Sequence, residues 1–211
     1  MFPISIMGRQ DEIVKERVKK LVELRAKGLD PYVTKYNTDS NSAEIQKNYA
    51  NIKSDEKTKD KYHIAGRLIS VRDLGKICFL VLQDGYGKIQ LILQEGETPD
   101  NVRELFKKFI DAGDFVGVNG LVFRTKRGEL SLIVKDAQLL TKSIFPLPEK
   151  WHGIQDEEEK LRKRYLDILI NPEVKEMFIR KSKFWQSIRN FLIQKGFLEV
   201  ETPVLETSAG G

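Results

Sequence analysis

The stretch Ile77-Cys78-Phe79-Leu80-Val81-Leu82-Gln83, Asp84-Gly85-Tyr86-Gly87, Lys88-Ile89-Gln90-Leu91-Ile92-Leu93-Gln94 decides the fold. Two runs rich in branched apolar residues flank a turn built from an aspartate and two glycines. That is the pattern of two antiparallel strands joined tightly. In the second run Ile89, Leu91 and Leu93 alternate with Gln90, Ile92 and Gln94. One face is therefore apolar and the other largely polar. In the first run Phe79 falls on the face opposite Cys78, Leu80 and Leu82.

Working outward, residues 62–72 read as a strand before this pair. After it, Thr98-Pro99 opens a helix, with Pro at the first helical position. Val102, Leu105, Phe106, Phe109 and Ile110 form its apolar stripe, and Gly113 ends it. Phe115 to Arg124 and Leu130 to Leu140 read as two further strands around the turn Lys126-Arg127-Gly128-Glu129. The order is strand, strand, strand, helix, strand, strand. It predicts an α+β, mainly β domain: a five-stranded OB-fold, a Greek-key barrel with its helix between strands three and four. Gly66, Gly117 and Gly120 favour a barrel over an open mixed sheet, because tightly coiled strands need glycine at the bends.

The flanks differ in character. The first segment is a basic amphipathic helix, with Val14, Val18, Leu21 and Val22 on one face and Lys15, Lys19, Lys20 and Lys27 on others. Gly28 and Pro31 stop it. Residues 33–60 are polar and read as a connector with one short helix near Ala43 to Ala50. Phe145-Pro146-Leu147-Pro148 is stiff and extended, as suits an interdomain linker. Two helices follow. The second opens at Asn171-Pro172, closes at Gly196 and carries Val174, Phe178, Trp185, Ile188 and Leu192 on one stripe. A short strand follows Gly196. The expected domains are 1–60, helix and connector; 61–143, barrel; 144–160, linker; and 161–211, the start of a second domain.

Composition sets bounds. The chain has 211 residues, 40% hydrophobic and 32% charged, enough for at least one core. Its net charge of +5 is compatible with a polyanionic partner, and equally with a lysine-rich solvated surface. The single cysteine, Cys78, reads as a buried structural thiol. No apolar run approaches a membrane span, and Met1 to Met7 lack the basic leader of a signal peptide.

Longer motifs carry a resemblance to class II lysyl-tRNA synthetases that covers nearly the whole chain. They are Arg25-Ala26-Lys27-Gly28-Leu29-Asp30-Pro31-Tyr32, Ala65-Gly66-Arg67, Leu82 to Leu91, and Arg124-Thr125-Lys126-Arg127-Gly128-Glu129-Leu130-Ser131. The most specific are Pro146-Leu147-Pro148-Glu149-Lys150-Trp151-His152-Gly153, Arg164-Tyr165-Leu166-Asp167 and Asn171-Pro172-Glu173-Val174. Gly196 to Pro203 resembles motif 1 of the class.

The resemblance implies that the barrel binds the anticodon loop of a lysine tRNA in the cytoplasm. Unstacked bases are held by aromatic stacking and by hydrogen bonds to their edges, with cations on the phosphates. By that resemblance Phe79 stacks a base; core packing is its alternative. Gln90 offers an amide to a uracil edge, and Arg72 and Glu129 join the anticodon site. Arg67 serves either RNA or the barrel. Motif 1 implies a homodimer through Phe197, Val200 and Pro203, and Gly210 and Gly211 resemble the start of a loop near the lysine substrate.

The complete enzymes of the family use ATP and Mg²⁺. The motif 2 and motif 3 residues for that chemistry are not found here, nor is a Walker-type loop. Residues 156–159 read as the start of a charged helix rather than a metal site. His63 and His152 have no evident catalytic partner. No catalytic or metal residue is therefore assigned, and no aminoacylation is expected of this chain alone. A stand-alone tRNA-binding module and a generic single-strand-binding OB-fold stay open.

Overall fold

In the computed structural model, residues 4–148 and 156–204 are described. They form two compact units, Met1–Leu147 and Pro148–Gly211.

The first unit grows from the hairpin of β2 (Ile77–Gln83) and β3 (Lys88–Gln94). The Asp84 carboxylate closes the turn between them. Its Oδ1 accepts hydrogen bonds from the amides of Tyr86 and Gly87 at 2.8 and 2.7 Å. Leu80, Leu82, Ile89, Leu91 and Leu93 point inward and are 3% exposed or less. β1 runs over Lys57–Asp73, beginning five residues before the expected start at 62. The polar sequence there hides a strand whose partner is distant: its first half pairs with β4 (Phe115–Arg124), its second with β2. A bulge between Leu68 and Ser70 lets one strand bend into both ladders. Gly66 sits at the crossing, where a Cβ would lie 2.5 Å from the Gln83 carbonyl oxygen. β5 (Leu130–Thr141) pairs antiparallel with β4 and parallel with β3, closing a barrel in the order β1-β2-β3-β5-β4. This is the expected five-stranded arrangement.

Three helices dress the barrel. In α1 (Ile4–Ala26) Leu24 and Arg17 are buried, whereas Val18 and Val22, expected on the packed face, are 41% and 59% exposed. Arg17 goes inward because three backbone carbonyls, of Ala112, Ser143 and Phe145, need donors there. Two of the four expected surface lysines are also engaged. Lys20 pairs with Asp111 at 2.7 Å, and the Lys27 ammonium lies 5.3 Å from the Phe109 ring centre. α2 (Ser42–Asn48) is the short connector helix, capped by Asn41. α3 (Asp100–Phe109) places Val102, Phe106 and Phe109 in the core. Pro99 is its N-cap rather than its first residue, and Ile110 is already extended, so the helix stops before Gly113. The turn that follows holds a buried ion cluster. The fully buried Lys142 ammonium donates to Asp111, Asp114 and the Phe109 carbonyl at 2.5–2.7 Å. Pairing offsets the desolvation that a lone buried charge would suffer.

Among its described residues the second unit has three helices where two were expected: α4 (Glu157–Arg162), α5 (Arg164–Ile170) and α6 (Pro172–Gln194). The break falls at Lys163, whose backbone leaves the helical region. Asp156 caps α4 by accepting from the Glu158 amide, so residues 156–159 form a helix start. Buried Asp167 joins α5 to α6 by accepting from Arg164 and Asn171. At the C-terminus of α6, Gly196 adopts φ +85° and the Phe197 and Gly196 amides bond back to Leu192 and Ile193. These are the paired bonds of a Schellman stop. No strand forms over 197–204, because among the described residues of this unit no other strand offers an edge to pair with. Trp151, His152, Gly210 and Gly211 lie outside the described residues.

Candidate nucleic-acid interface

Four of the five barrel residues singled out from the sequence come together on one outer surface. Alternation in β2 sends Leu80 and Leu82 inward and leaves Phe79 on the outside, half-buried. Phe79 lies in register between Arg72 of β1 and Ile92 of β3. Such directly opposed side chains have Cβ atoms about 4.5–5.5 Å apart. Ile92 is in turn level with Ile133 of β5. The two isoleucines are 1% and 3% exposed although they face outward, so the ring sits beside an apolar floor. The sequence pattern counted this side of β3 as largely polar and did not reveal that floor. Only the β3–β5 pairing brings Ile133 to it.

One row further along, Val81, Gln90 and Ser131 are level. The Ser131 hydroxyl lies 2.7 Å from Gln90 Oε1 and fixes the amide plane. The Gln90 NH2 has no protein hydrogen-bond partner among the described residues and is available to an acceptor. The next row holds Gln83 and Lys88. Glu129 lies in the β4–β5 turn, two residues before Ser131 and just ahead of β5. Arg72 and Glu129 are both exposed. The surface therefore carries a guanidinium and a ring in one row and an amide in the next, with a carboxylate at the adjoining turn.

Arg67 stands apart in its commitments. Its guanidinium donates to the Gly113 carbonyl at 3.0 Å and lies 4.2 Å from the Phe115 ring centre. Burial pulls its pKa below the ordinary arginine value, with nearby Asp114 opposing. Both contacts tie the guanidinium to the barrel's own residues.

Burial also pushes the Cys78 thiol up to about 11, as suits an inert thiol. His63 has partners that the sequence did not reveal. Its Nδ1 lies 3.1 Å from Asp39 and its Nε2 2.9 Å from the Asn119 amide nitrogen. Both ring nitrogens are thus engaged, one tying the connector to the barrel and the other joining β1 to β4. Among the described residues no three His, Cys, Asp or Glu side chains gather to hold a metal, and no helix is long and apolar enough to cross a membrane.

In the second unit Phe197 and Val200 are 66% and 67% exposed, and Pro203 is exposed. α6 itself bears Phe184, Trp185, Phe191 and Ile193, each more than half exposed. Between α6 and residues 197–199 lies a cleft of about 350 Å³, lined by Trp185, Ile188, Leu192 and Phe197 among others. Arg189 bridges across it to Glu199 at 2.7 Å.

Comparison with known proteins agrees with this geometry. The family described as OB-fold nucleic acid binding domain matches residues 62–140, and tRNA synthetases class II (D, K and N) matches residues 156–211. Lysine–tRNA ligase of Carboxydothermus hydrogenoformans is 45% identical over 202 residues, covering 95% of this chain and 40% of the relative. That of Pelotomaculum thermopropionicum is 41% identical over 211 residues, covering 99% and 40%. That of a Nostoc species is 38% identical over 209, covering 96% and 37%. The chain thus spans about two fifths of the length of these curated relatives.

Proposed function

We propose, for a chain that belongs to the class II aminoacyl-tRNA synthetases as part of a lysine–tRNA ligase, that the outer barrel face binds the anticodon loop of a lysine tRNA. The observation that carries this is the outward placement of Phe79 between Arg72 and Ile92, one row from Gln90, with Glu129 exposed in the adjoining β4–β5 turn. Phe79 stacks an unpaired base. Arg72 meets a phosphate or a base edge. The Gln90 amide donates to a carbonyl such as those of uracil, and the Glu129 carboxylate accepts from an exocyclic amine or an imino N–H. Arg67, level with Gln83 on the outer side of β1, supports this face through its contacts with Gly113 and Phe115.

In the complete enzyme this portion serves ATP-dependent attachment of lysine to tRNA. ATP and Mg²⁺ belong to that reaction. The described residues offer no acidic cluster to ligate the metal, so no step is assigned to them here. The exposed α6 face with Phe197, Val200 and Pro203 is the homodimer surface in the same reading, Gly210 and Gly211 approach the lysine substrate, and the setting is cytoplasmic.

The test is equilibrium binding of the chain to stem-loops carrying the lysine anticodon and to loops with each anticodon base changed. Preference of at least tenfold for the lysine loop is expected. Equal affinity for all loops would leave a generic single-strand binder instead.

A further inference from the structure

The β2–β3 turn (residues 84–87) and the β4–β5 hairpin (residues 125–129) lie at the same end of the barrel. β3 and β5 run parallel from them, with Gln90 level with Ser131. Together they bound the part of the face that holds Gln90 and Glu129. The seven-residue helix α2 reaches both. At its start, the Ser42 amide and hydroxyl donate to the two oxygens of Asp84 at 2.6 and 2.7 Å. The Asp84 oxygen that takes the hydroxyl also takes the Tyr86 and Gly87 amides. Four hydrogen bonds thus hold its carboxyl below the ordinary aspartate range, against the opposing effect of burial. One turn on, the Gln46 amide donates to the Lys88 carbonyl at 2.6 Å. At the far end, Arg124 donates from Nη2 to the Tyr49 and Ala50 carbonyls at 2.9 and 3.0 Å. From Nη1 it donates to the Gly128 carbonyl, next to Glu129, at 2.7 Å. One planar guanidinium thereby joins the end of α2 to the hairpin, a three-carbonyl grip that a single ammonium cannot reproduce.

We infer that α2 is a clamp on the base-reading face, in which Ser42 and Arg124 act as positioning residues that fix the separation of the two turns and so set base discrimination. The inference rests on the anticodon-loop reading above. None of the clamp contacts uses the outward groups of Phe79, Gln90 or Glu129, so these stay open to RNA while the backbone beneath them is held. Rejection of a wrong base depends on donors and acceptors that cannot move to meet it. Loosening the clamp lets the turns adapt, which raises affinity for wrong loops relative to the right one.

The test uses the full chain with Ser42→Ala, Ser42→Thr, Arg124→Lys and Phe79→Ala. Each is first checked for folding by thermal denaturation. The readouts are the affinity ratio between the lysine anticodon stem-loop and a loop with one anticodon base changed, and amide hydrogen exchange at Gly87 and Glu129. Ser42→Ala and Arg124→Lys are expected to lower the ratio at least fivefold and to speed exchange at the turn each one holds. Ser42→Thr, which keeps the hydroxyl, is expected to retain most of the ratio. A lower melting temperature with the ratio unchanged would make these contacts purely structural and overturn the clamp. The underlying reading is read separately from Phe79→Ala: loss of affinity there keeps it standing whatever the clamp variants do, and unchanged affinity there removes it and the clamp with it.

Discussion

The barrel and the helical unit use similar apolar residues to opposite ends. In the barrel, Leu80, Leu82, Leu91 and Leu132 are fully buried and the strands close on themselves. In the helical unit, Phe184, Trp185, Phe191, Phe197 and Leu198 are 55–85% exposed. A closed ring of strands buries its own inner face, whereas a helix hairpin buries only the stripe its partner covers. The first unit therefore carries its stability within itself and is free to present an outer face to a ligand. The second presents apolar area of the kind that marks an interaction surface.

The largest effect that would break this contrast is truncation of a core leucine. Leu91→Ala is expected to cost about 2–5 kcal/mol in chemical denaturation, the range for deleting a buried leucine side chain. Leu198→Ala, at a position 85% exposed, should stay within about 0.5 kcal/mol in the dilute chain. Equal costs would mean that the two units are closed alike. Next comes Gly66→Ala. A Cβ there meets the Gln83 backbone rather than a movable side chain, so a loss of about 1–3 kcal/mol is expected in the same assay. A neutral result would show that the β1–β2 crossing has slack.

A smaller effect is electrostatic. Hydrogen bonds from Lys135 and Lys57 pull the Glu97 carboxyl down to about 2 from an ordinary value of 4.5. Its folded-state value is depressed, so its contribution is fully present above pH 4.5. It is lost as the pH falls from there through about 2. Acid titration of stability should therefore decline less steeply over that window in Glu97→Gln than in the parent. Glu199→Gln, which breaks the exposed Arg189 pair of the helical unit, should leave the barrel's profile unchanged. Identical profiles for Glu97→Gln and the parent would remove Glu97 as a tie.

What could be read from the sequence follows the range of the forces involved. β2 and β3 were legible to the residue, because alternation and the Asp84-Gly85-Tyr86-Gly87 turn are local signals. The start of β1 was not, because Lys57 to Lys61 become strand only through pairing with β4. The outward side of Phe79 followed from alternation. The buried floor of Ile92 and Ile133 did not, since it needs a parallel pairing between strands distant in sequence. Arg17 and Lys142 were invisible as interior groups, and Arg124 as a half-buried one. Sequence patterns place charges at the surface, and only the folded chain brings the carbonyls and carboxylates that receive them. Motif 1 was legible as a helix with a glycine stop, but the strand expected after it requires an edge that these residues do not supply.

The central claim is that a ring on the outside of the barrel holds an unstacked base. The most direct measurement is the affinity of the folded parent and of folded Phe79→Ala for the lysine anticodon stem-loop. Loss of one stacking contact, about 1–3 kcal/mol, predicts at least tenfold weaker binding. Indistinguishable affinities would contradict it.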